Sequence, residues 1–471
     1  MEKPITAIVI GAGSRGRDAY GSYAVAHSDK LKILGVAEPI EARRNRFAEI
    51  HGLTENCYTT WEEILHKPKF ADAAIVTTQD NMHTEPALLA MDQGYDVLLE
   101  KPMSNKLEDC VQLVNKSEET GKHLQICHVL RYTDFYSTVY NAIQGGKIGD
   151  LINIECKENV SFWHFSHSYV RGNWRNSVES SPLILAKCCH DLDLLYWMVG
   201  ALPKKISAFG TLSHYKADQA PPGAPNRCLD GCPHANTCIY YAPFIYIDVV
   251  PLIRIGYDSE VRYIKFFSGL ALYHRTAFKA FSYLIPLLKQ VKDWREWPVS
   301  VITDDLSYEG KMKALREGPF GRCVYHCDND QPDHMIVGLE FENGVTANLT
   351  VHGHSAFEGR TIRVDGTKGT MIGEFLQSGE KLWVYDKLSG KKKLIYKARL
   401  FEHGAQGHGG GDWALMDAFV NLLRKNIANP LTSARASLES HIMAFAAEKS
   451  RVEEKIINMA EYRNEVMKSD L

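Results

Sequence analysis

The chain has 471 residues, of which 45% are hydrophobic and 24% charged, and its formal net charge is −3. That length points to about two to three domains, and the composition excludes a disordered or collagen-like chain. The near balance of 54 Lys+Arg against 57 Asp+Glu leaves no bulk positive charge to hold a nucleic-acid backbone.

No uncharged apolar run reaches the ~20 residues that a membrane helix needs. The most apolar stretch, Ile239 to Val250, is short and carries Asp248. The first residues run straight into a glycine motif without a signal-peptide pattern, so a cytoplasmic protein is expected. In that compartment the 11 cysteines are expected to be thiols or metal ligands, not disulfides.

In chain order, Ile5 to Ile10 is an apolar run suited to a strand buried on both faces. A helix-like stretch follows to about His27, then a second strand, Leu31 to Ala37, and a charged helix, Glu41 to Ile50. Thr60-Trp61-Glu62-Glu63 has the form of a capping box and predicts a short helix. Ala73 to Val76, Asp96 to Leu99 and Leu124 to Cys127 read as further strands. Between them lie helices at Thr84 to Gly94 and Leu107 to Thr120. This β-α alternation predicts a parallel, doubly wound sheet over residues 1–130.

After Arg131 the pattern changes. Leu151 to Val160, His334 to Phe341 and Thr346 to Val351 alternate in part, as antiparallel strands with one solvated face do. Residues 217–331 form an irregular, cysteine-bearing segment that reads as an insertion into a second domain, 131–471. Asp412 to Lys425 and Ala434 to Glu454 read as helices.

Gly11-Ala12-Gly13-Ser14-Arg15-Gly16 fits G-x-G-x-x-G between a strand and a helix. Gly11 permits the tight turn, Gly13 lets a pyrophosphate approach the backbone, and Gly16 lets the helix pack on the sheet. The helix N-terminus that opens at Ser14 and Arg15 offers N–H groups to phosphate. Glu38, at the end of the second strand, can accept from both ribose hydroxyls and would repel a 2′-phosphate. NAD is therefore expected in preference to NADP, although Arg43 and Arg44 lie close by.

With the glycine loop and Glu100-Lys101-Pro102 after the fourth strand, the chain resembles the glucose–fructose oxidoreductase / inositol dehydrogenase / MocA (Gfo/Idh/MocA) superfamily. The resemblance implies an α/β Rossmann domain followed by an α+β domain with a large, mostly antiparallel open sheet. It also implies a sugar-like small-molecule substrate and a homo-oligomer, dimer or tetramer. In that family the lysine of E-K-P reaches the substrate hydroxyl and the nicotinamide, and the proline is often cis. Thr77 to His83 resembles the loop that lines the cofactor, which implicates Thr78, Asn81 and His83. Arg131 resembles an arginine near the substrate channel.

The family's second signature, D-x-x-x-H-x-x-D, is present only in part. His190 and Asp193 match its last two positions, whereas Ala186 stands in place of the first aspartate, with Lys187 beside it. A histidine of ordinary pKa suits the proton of a sugar hydroxyl. Lys101, His190 and Lys187 are therefore the expected catalytic groups, with Asp193 orienting His190. The segment Phe162 to Arg175 is dense in aromatic, histidine and arginine residues, and Trp174 and Arg175 are expected at a sugar. His334 and the glycine-rich Gly407 to Asp412, with His408, are further substrate-site candidates.

Cys228, Cys232, His234 and Cys238 lie within eleven residues, and Cys323 and Cys327 follow later. This donor set suits a structural zinc held by Cys228, Cys232, Cys238 and a further ligand such as Cys323. The functional expectation is oxidation or reduction of a sugar or polyol carbinol with NAD. Two other readings remain: an NAD-dependent glycosidase working by transient oxidation, elimination, water addition and re-reduction, and a non-catalytic NAD-binding regulator.

Overall fold

The computed structural model describes residues 3–274, 278, 293–400 and 408–468. Two sheets organise the chain. The first has six parallel strands, β1 (Ile5–Ile10), β2 (Leu31–Ala37), β3 (Cys57–Tyr58), β4 (Ala73–Val76), β5 (Asp96–Leu99) and β6 (Leu124–Ile126), in the order β3-β2-β1-β4-β5-β6. Strands β4 and β6 are buried along their whole length, as a sheet covered by helices on both faces requires. The capping box at Thr60 and Glu63 is present with both of its hydrogen bonds. The two-residue β3 is too short for a hydrophobic period and gives no signal in the sequence.

The second sheet has nine strands. They are β7 (Leu151–Ser161), β8 (Pro203–Thr211), β9 (His334–Phe341), β10 (Thr346–Ser355), β11 (Gly359–Gly366), β12 (Gly369–Leu376), β13 (Gly379–Asp386), β14 (Lys392–Arg399) and β15 (Ile457–Asn458). The order is β14-β13-β12-β11-β7-β10-β9-β8-β15, and only the β7–β10 pair is parallel. Burial alternates residue by residue along β9 and β10, as a sheet with one solvated face demands. On the open face Phe209 pairs in register with Ile336, and both are exposed.

Two elements cross the boundary that the sequence draws near residue 130. Helix Gly411–Lys425 returns to the first sheet, where Leu415, Met416 and Phe419 share a core with Val9, Tyr20 and Ile75. Helix Ala434–Glu453 packs on β8, on helix Leu107–Thr120 and on helix Cys189–Val199. The insertion is also more regular than its sequence suggests, with helices at Ala242–Tyr246, Val250–Asp258, Arg262–Tyr273 and Tyr308–Glu317. Among the described residues no helix is long and apolar enough to cross a membrane.

Candidate active site

The turn after β1 is built for a close approach. Gly11 has φ +94°, and a Cβ there would lie 2.8 Å from the Thr77 carbonyl oxygen. A Cβ on Gly16 would lie 2.1 Å from the Gly11 carbonyl oxygen, so that position also excludes a side chain. A Cβ on Gly13 would meet nothing within 4 Å, so this part of the loop opens onto space that a pyrophosphate can enter. The Glu38 carboxylate accepts from the Ala12 N–H at 2.8 Å and the Ile40 N–H at 3.0 Å, which holds it at the rim of the loop. Arg43 donates to Asp304 at 3.2 Å, away from the loop, whereas Arg44 donates to the Glu38 main-chain carbonyl at 2.6 Å and stays beside it. These residues fit NAD.

Several residues expected at the cofactor brace the loops around it. His83 is buried and bridges the Pro102 carbonyl, at 2.7 Å, and the Thr78 carbonyl, at 3.2 Å. Arg15 bonds Glu100 at 2.5 Å and Asp412 at 2.8 and 3.0 Å, which ties the glycine loop to E-K-P and to helix Gly411–Lys425. Burial would push the Asp412 carboxyl up, but Arg15 and His408 outweigh it and hold it well below its ordinary value. Asn81 is exposed, at the solvent edge of this loop.

The Lys101–Pro102 peptide is cis. Lys101 Nζ donates to the Ala186 carbonyl at 2.8 Å. The position that lacks the family aspartate therefore still contributes an oxygen, from its main chain. The expected helix from Ala186 is broken: Leu183–Ala186 ends, Lys187 and Cys188 intervene, and Cys189–Val199 begins. His190 lies on the first turn after the break, facing Lys101, His128, Arg360 and His408. Its ring centroid is 6.1 Å from that of His408. Burial first, and Lys101 second, push the His190 imidazolium far below its ordinary pKa, so the ring is neutral near pH 7.

The break turns Lys187 toward two buried carboxylates, Glu158 at 3.5 Å and Glu358 at 3.8 Å. His164 Nδ1 is 2.8 Å from Glu358, and Arg360 holds Asp191 at 2.7 Å and Glu158 at 2.5 Å. Burial would raise Glu358, yet His164 and Lys187 outweigh it and bring its pKa to about 2. Burial also opposes the charge on Lys187, but Glu158 and Glu358 prevail and raise it. Sequence reasoning missed Glu158, Asp191, Glu358 and Arg360. The charged residues sit at buried positions of β7, helix Cys189–Val199 and the start of β11, where alternation alone predicts apolar side chains, and that conflict is the signal.

Other expected substrate residues are placed differently. Arg131 and Asp193 form a buried bidentate pair, at 2.7 and 2.6 Å, so Asp193 is engaged by Arg131 and not by His190. Arg175 is engaged by Asp328 at 3.0 Å. Trp174 donates its indole N–H to Asp80 at 3.1 Å and fixes its loop. His334 lies half-exposed beside Asp333 at 2.7 Å, with His354 nearby, and makes no contact with Lys101 or His190. His408 pairs with Asp412 at 3.0 Å, while Gly407 lies outside the described residues.

The zinc expectation finds no support. Cys228, Cys232, His234, Cys238 and Cys323 line one pocket, and none of the 11 cysteines is in a disulfide. Among the described residues no three His, Cys, Asp or Glu side chains are grouped so as to hold a metal. His234 is turned to the Pro222 carbonyl at 2.9 Å, and Cys228 Sγ takes a bond from Arg171 at 3.6 Å.

A glycine-loop Rossmann domain, a cis Lys-Pro just past the end of β5 and a histidine on an opposing helix define a nucleotide-dependent oxidoreductase site. The family model for the NAD-binding Rossmann fold of an oxidoreductase family (GFO_IDH_MocA) matches residues 5–128. The model for that family's C-terminal alpha/beta domain matches residues 141–243. The chain belongs to the Gfo/Idh/MocA superfamily. It is 22% identical over 456 residues to a Bacillus subtilis protein named "Putative oxidoreductase YteT", covering 90% of this chain and 94% of that one. It is 27% identical over 153 residues to the 2,7-anhydro-N-acetylneuraminate hydratase of Escherichia coli, covering 32% of this chain and 40% of the relative. With the NAD+-dependent scyllo-inositol 2-dehydrogenase of Bacillus subtilis it shares 25% over 223 residues, or 45% of this chain and 59% of the relative.

Proposed function

We propose that this protein is an NAD-dependent oxidoreductase acting on a carbinol of a sugar, polyol or sugar derivative. The observation that carries the proposal is Lys101 Nζ, anchored on the Ala186 carbonyl at 2.8 Å beside the neutral, buried His190. Lys101 uses one N–H on that carbonyl, which leaves two to donate to a substrate oxygen. His190 takes the hydroxyl proton as the carbinol is oxidised, a role its neutral form permits. NAD, when bound, accepts the hydride. Glu38 at the rim of the glycine loop supports NAD over NADP. The exposed Phe209 and Ile336 on the open sheet face support a homo-oligomer built through that face.

A second reading is favoured by Lys187, Glu358 and His164. A simple carbinol oxidation needs one proton-transfer group, and here Lys187 lies 3.8 Å from Glu358, which is in turn 2.8 Å from His164. Such a set fits redox-neutral cleavage of a glycoside by transient oxidation, elimination, water addition and re-reduction. The resemblance over 153 residues to a protein named as an anhydro-sugar hydratase also supports it.

One experiment separates the two. Free sugars, inositols and aryl glycosides are each supplied with NAD while NADH and released phenol are followed together. The first reading expects stoichiometric NADH from a free sugar or polyol; phenol release with catalytic NAD selects the second. Under either, Lys101→Ala and His190→Ala lose at least about 100-fold in turnover while still binding NAD. Turnover near wild type in both variants removes them from the mechanism.

A further inference from the structure

The buried nitrogens behind His190 are unanswered. His190 Nδ1 has no hydrogen-bond partner, and neither does Nδ1 or Nε2 of His128. His128 is fully buried, at 0% exposure, and follows β6. The His128 and His190 rings lie 5.7 Å apart between centroids, at 76°. On its other side His128 Nε2 is 3.8 Å from Asp193 Oδ1, which also accepts from Arg131. Buried imidazole nitrogens are seldom left unpaired, because burial removes the water that would otherwise satisfy them.

We infer that Asp193, His128 and His190 form a relay, in which His128 is a positioning residue that sets the tautomer of His190. The inference rests on the reading of His190 as the base. A neutral imidazole carries one N–H, so only one order pairs all three orphaned nitrogens with the carboxylate. His128 Nε2–H points to Asp193, which as a carboxylate can only accept. His128 Nδ1 then accepts from His190 Nδ1–H, directly after a small ring rotation or through one bridging water. The His190 lone pair is left on Nε2, where a base must present it. The same logic orients ligand and catalytic histidines generally: the bond made by one nitrogen fixes the chemistry of the other.

The third histidine nearby does not compete for this role. His441, 5.6 Å from His128 between centroids, accepts from the Met103 N–H at 2.9 Å. Its Nδ1 bonds the Ser437 carbonyl at 2.9 Å, so both of its nitrogens are engaged. The charges facing His128 are Lys101, Arg131, Glu100 and Asp193, with His441 alongside; those facing His190 are Lys101, Arg360 and His408. The cations among them disfavour a second positive charge in the relay, so it works by tautomer and not by storing a proton. The arrangement also explains why Asp193 stands one turn beyond His190 without touching it.

Nitrogen-15 NMR of the histidine side chains in the NAD-loaded protein reads the tautomer directly, with His190 assigned by its loss in His190→Ala. The expected wild-type form is Nδ1–H. In His128→Phe, His190 should shift toward Nε2–H. In His128→Asn, whose amide oxygen can still accept, Nδ1–H should be retained. Turnover on whichever polyol or glycoside the scan identifies should fall roughly 10- to 100-fold in His128→Phe, the usual scale for a supporting partner. It should recover in part in His128→Asn. An Nε2–H tautomer in the wild type overturns the relay, and that test needs no variant to fold. The same tautomer in wild type and His128→Phe overturns it as well. If the tautomers behave as expected but His190→Ala retains full turnover, the relay stands and the reading of His190 as the base fails.

Discussion

Two buried arginines answer the same electrostatic problem in opposite ways. Arg360, at the floor of the candidate active site, is 7% exposed and is held by Asp191 and Glu158. Arg171, buried against the insertion, is 0% exposed; its donors reach the Arg322 carbonyl at 2.7 Å, the Tyr240 carbonyl at 2.8 Å and Cys228 Sγ, while Nη1 has no partner. A charge taken out of water needs compensation, and full carboxylates supply far more than carbonyl dipoles. Around Arg360 and Lys187 the buried charges are met by opposite ones. Where the protein only needs to gather loops around a thiol-lined pocket, main-chain oxygens suffice.

The comparison predicts its largest effect at Arg360. Arg360→Met leaves Asp191 and Glu158 buried without their shared cation, at a cost of about 3–5 kcal/mol. Urea unfolding followed by circular dichroism measures it, and turnover should fall with it because Lys187 then answers Glu158 alone. A loss below about 1 kcal/mol would show that these carboxylates are neutral or reached by water, and the contrast would collapse.

Arg171→Met is the milder change. It orphans two carbonyls, each worth about 1–3 kcal/mol, while removing an unpaired charge that itself opposes folding. A net loss of roughly 1–3 kcal/mol is expected, with NAD affinity by calorimetry unchanged. If Arg171→Met instead proves as damaging as Arg360→Met, the thiols near Arg171 carry real negative charge. Elemental analysis of the untagged protein would then show whether a metal draws them into thiolates.

The same two regions mark how far the sequence could be read. The Rossmann half was legible because each of its devices is local: a glycine loop, a capping box at Thr60, and apolar runs bounded by glycine. Motifs singled out Lys101 and His190, and the fold brings the two near each other. The Glu158–Lys187–Glu358 cluster was not legible, because β7, a helix break and the start of β11 meet only in the folded chain. Asp193 misled for the same reason. One-turn spacing from His190 predicts contact on a helix face, but Arg131, 62 residues earlier, takes both of its oxygens. In the insertion, the clustered cysteines suggest a zinc site, but spacing says nothing about how the side chains rotate, and no metal-holding group forms among the described residues.

The smallest effect separates the histidines from the carboxylates by pH. Burial, the leading cause, holds His128 and His190 well below their ordinary value, and His441 at about 3. The unfolded chain protonates these rings near pH 6.5 and the folded one resists, so the unfolded state binds more protons below that pH. Stability is therefore full above about pH 6.5 and declines as pH falls toward the folded values. Glu358, held at about 2 by His164 and Lys187 against burial, contributes its own loss only below its ordinary value of 4.5. The melting temperature should thus already drop between pH 7 and pH 5, before Glu358 titrates. His128→Phe removes one buried ring and should make that drop shallower. An equally steep drop in the variant would show that His128 is already protonated in the fold, and a relay that needs its neutral form would lose its footing with it.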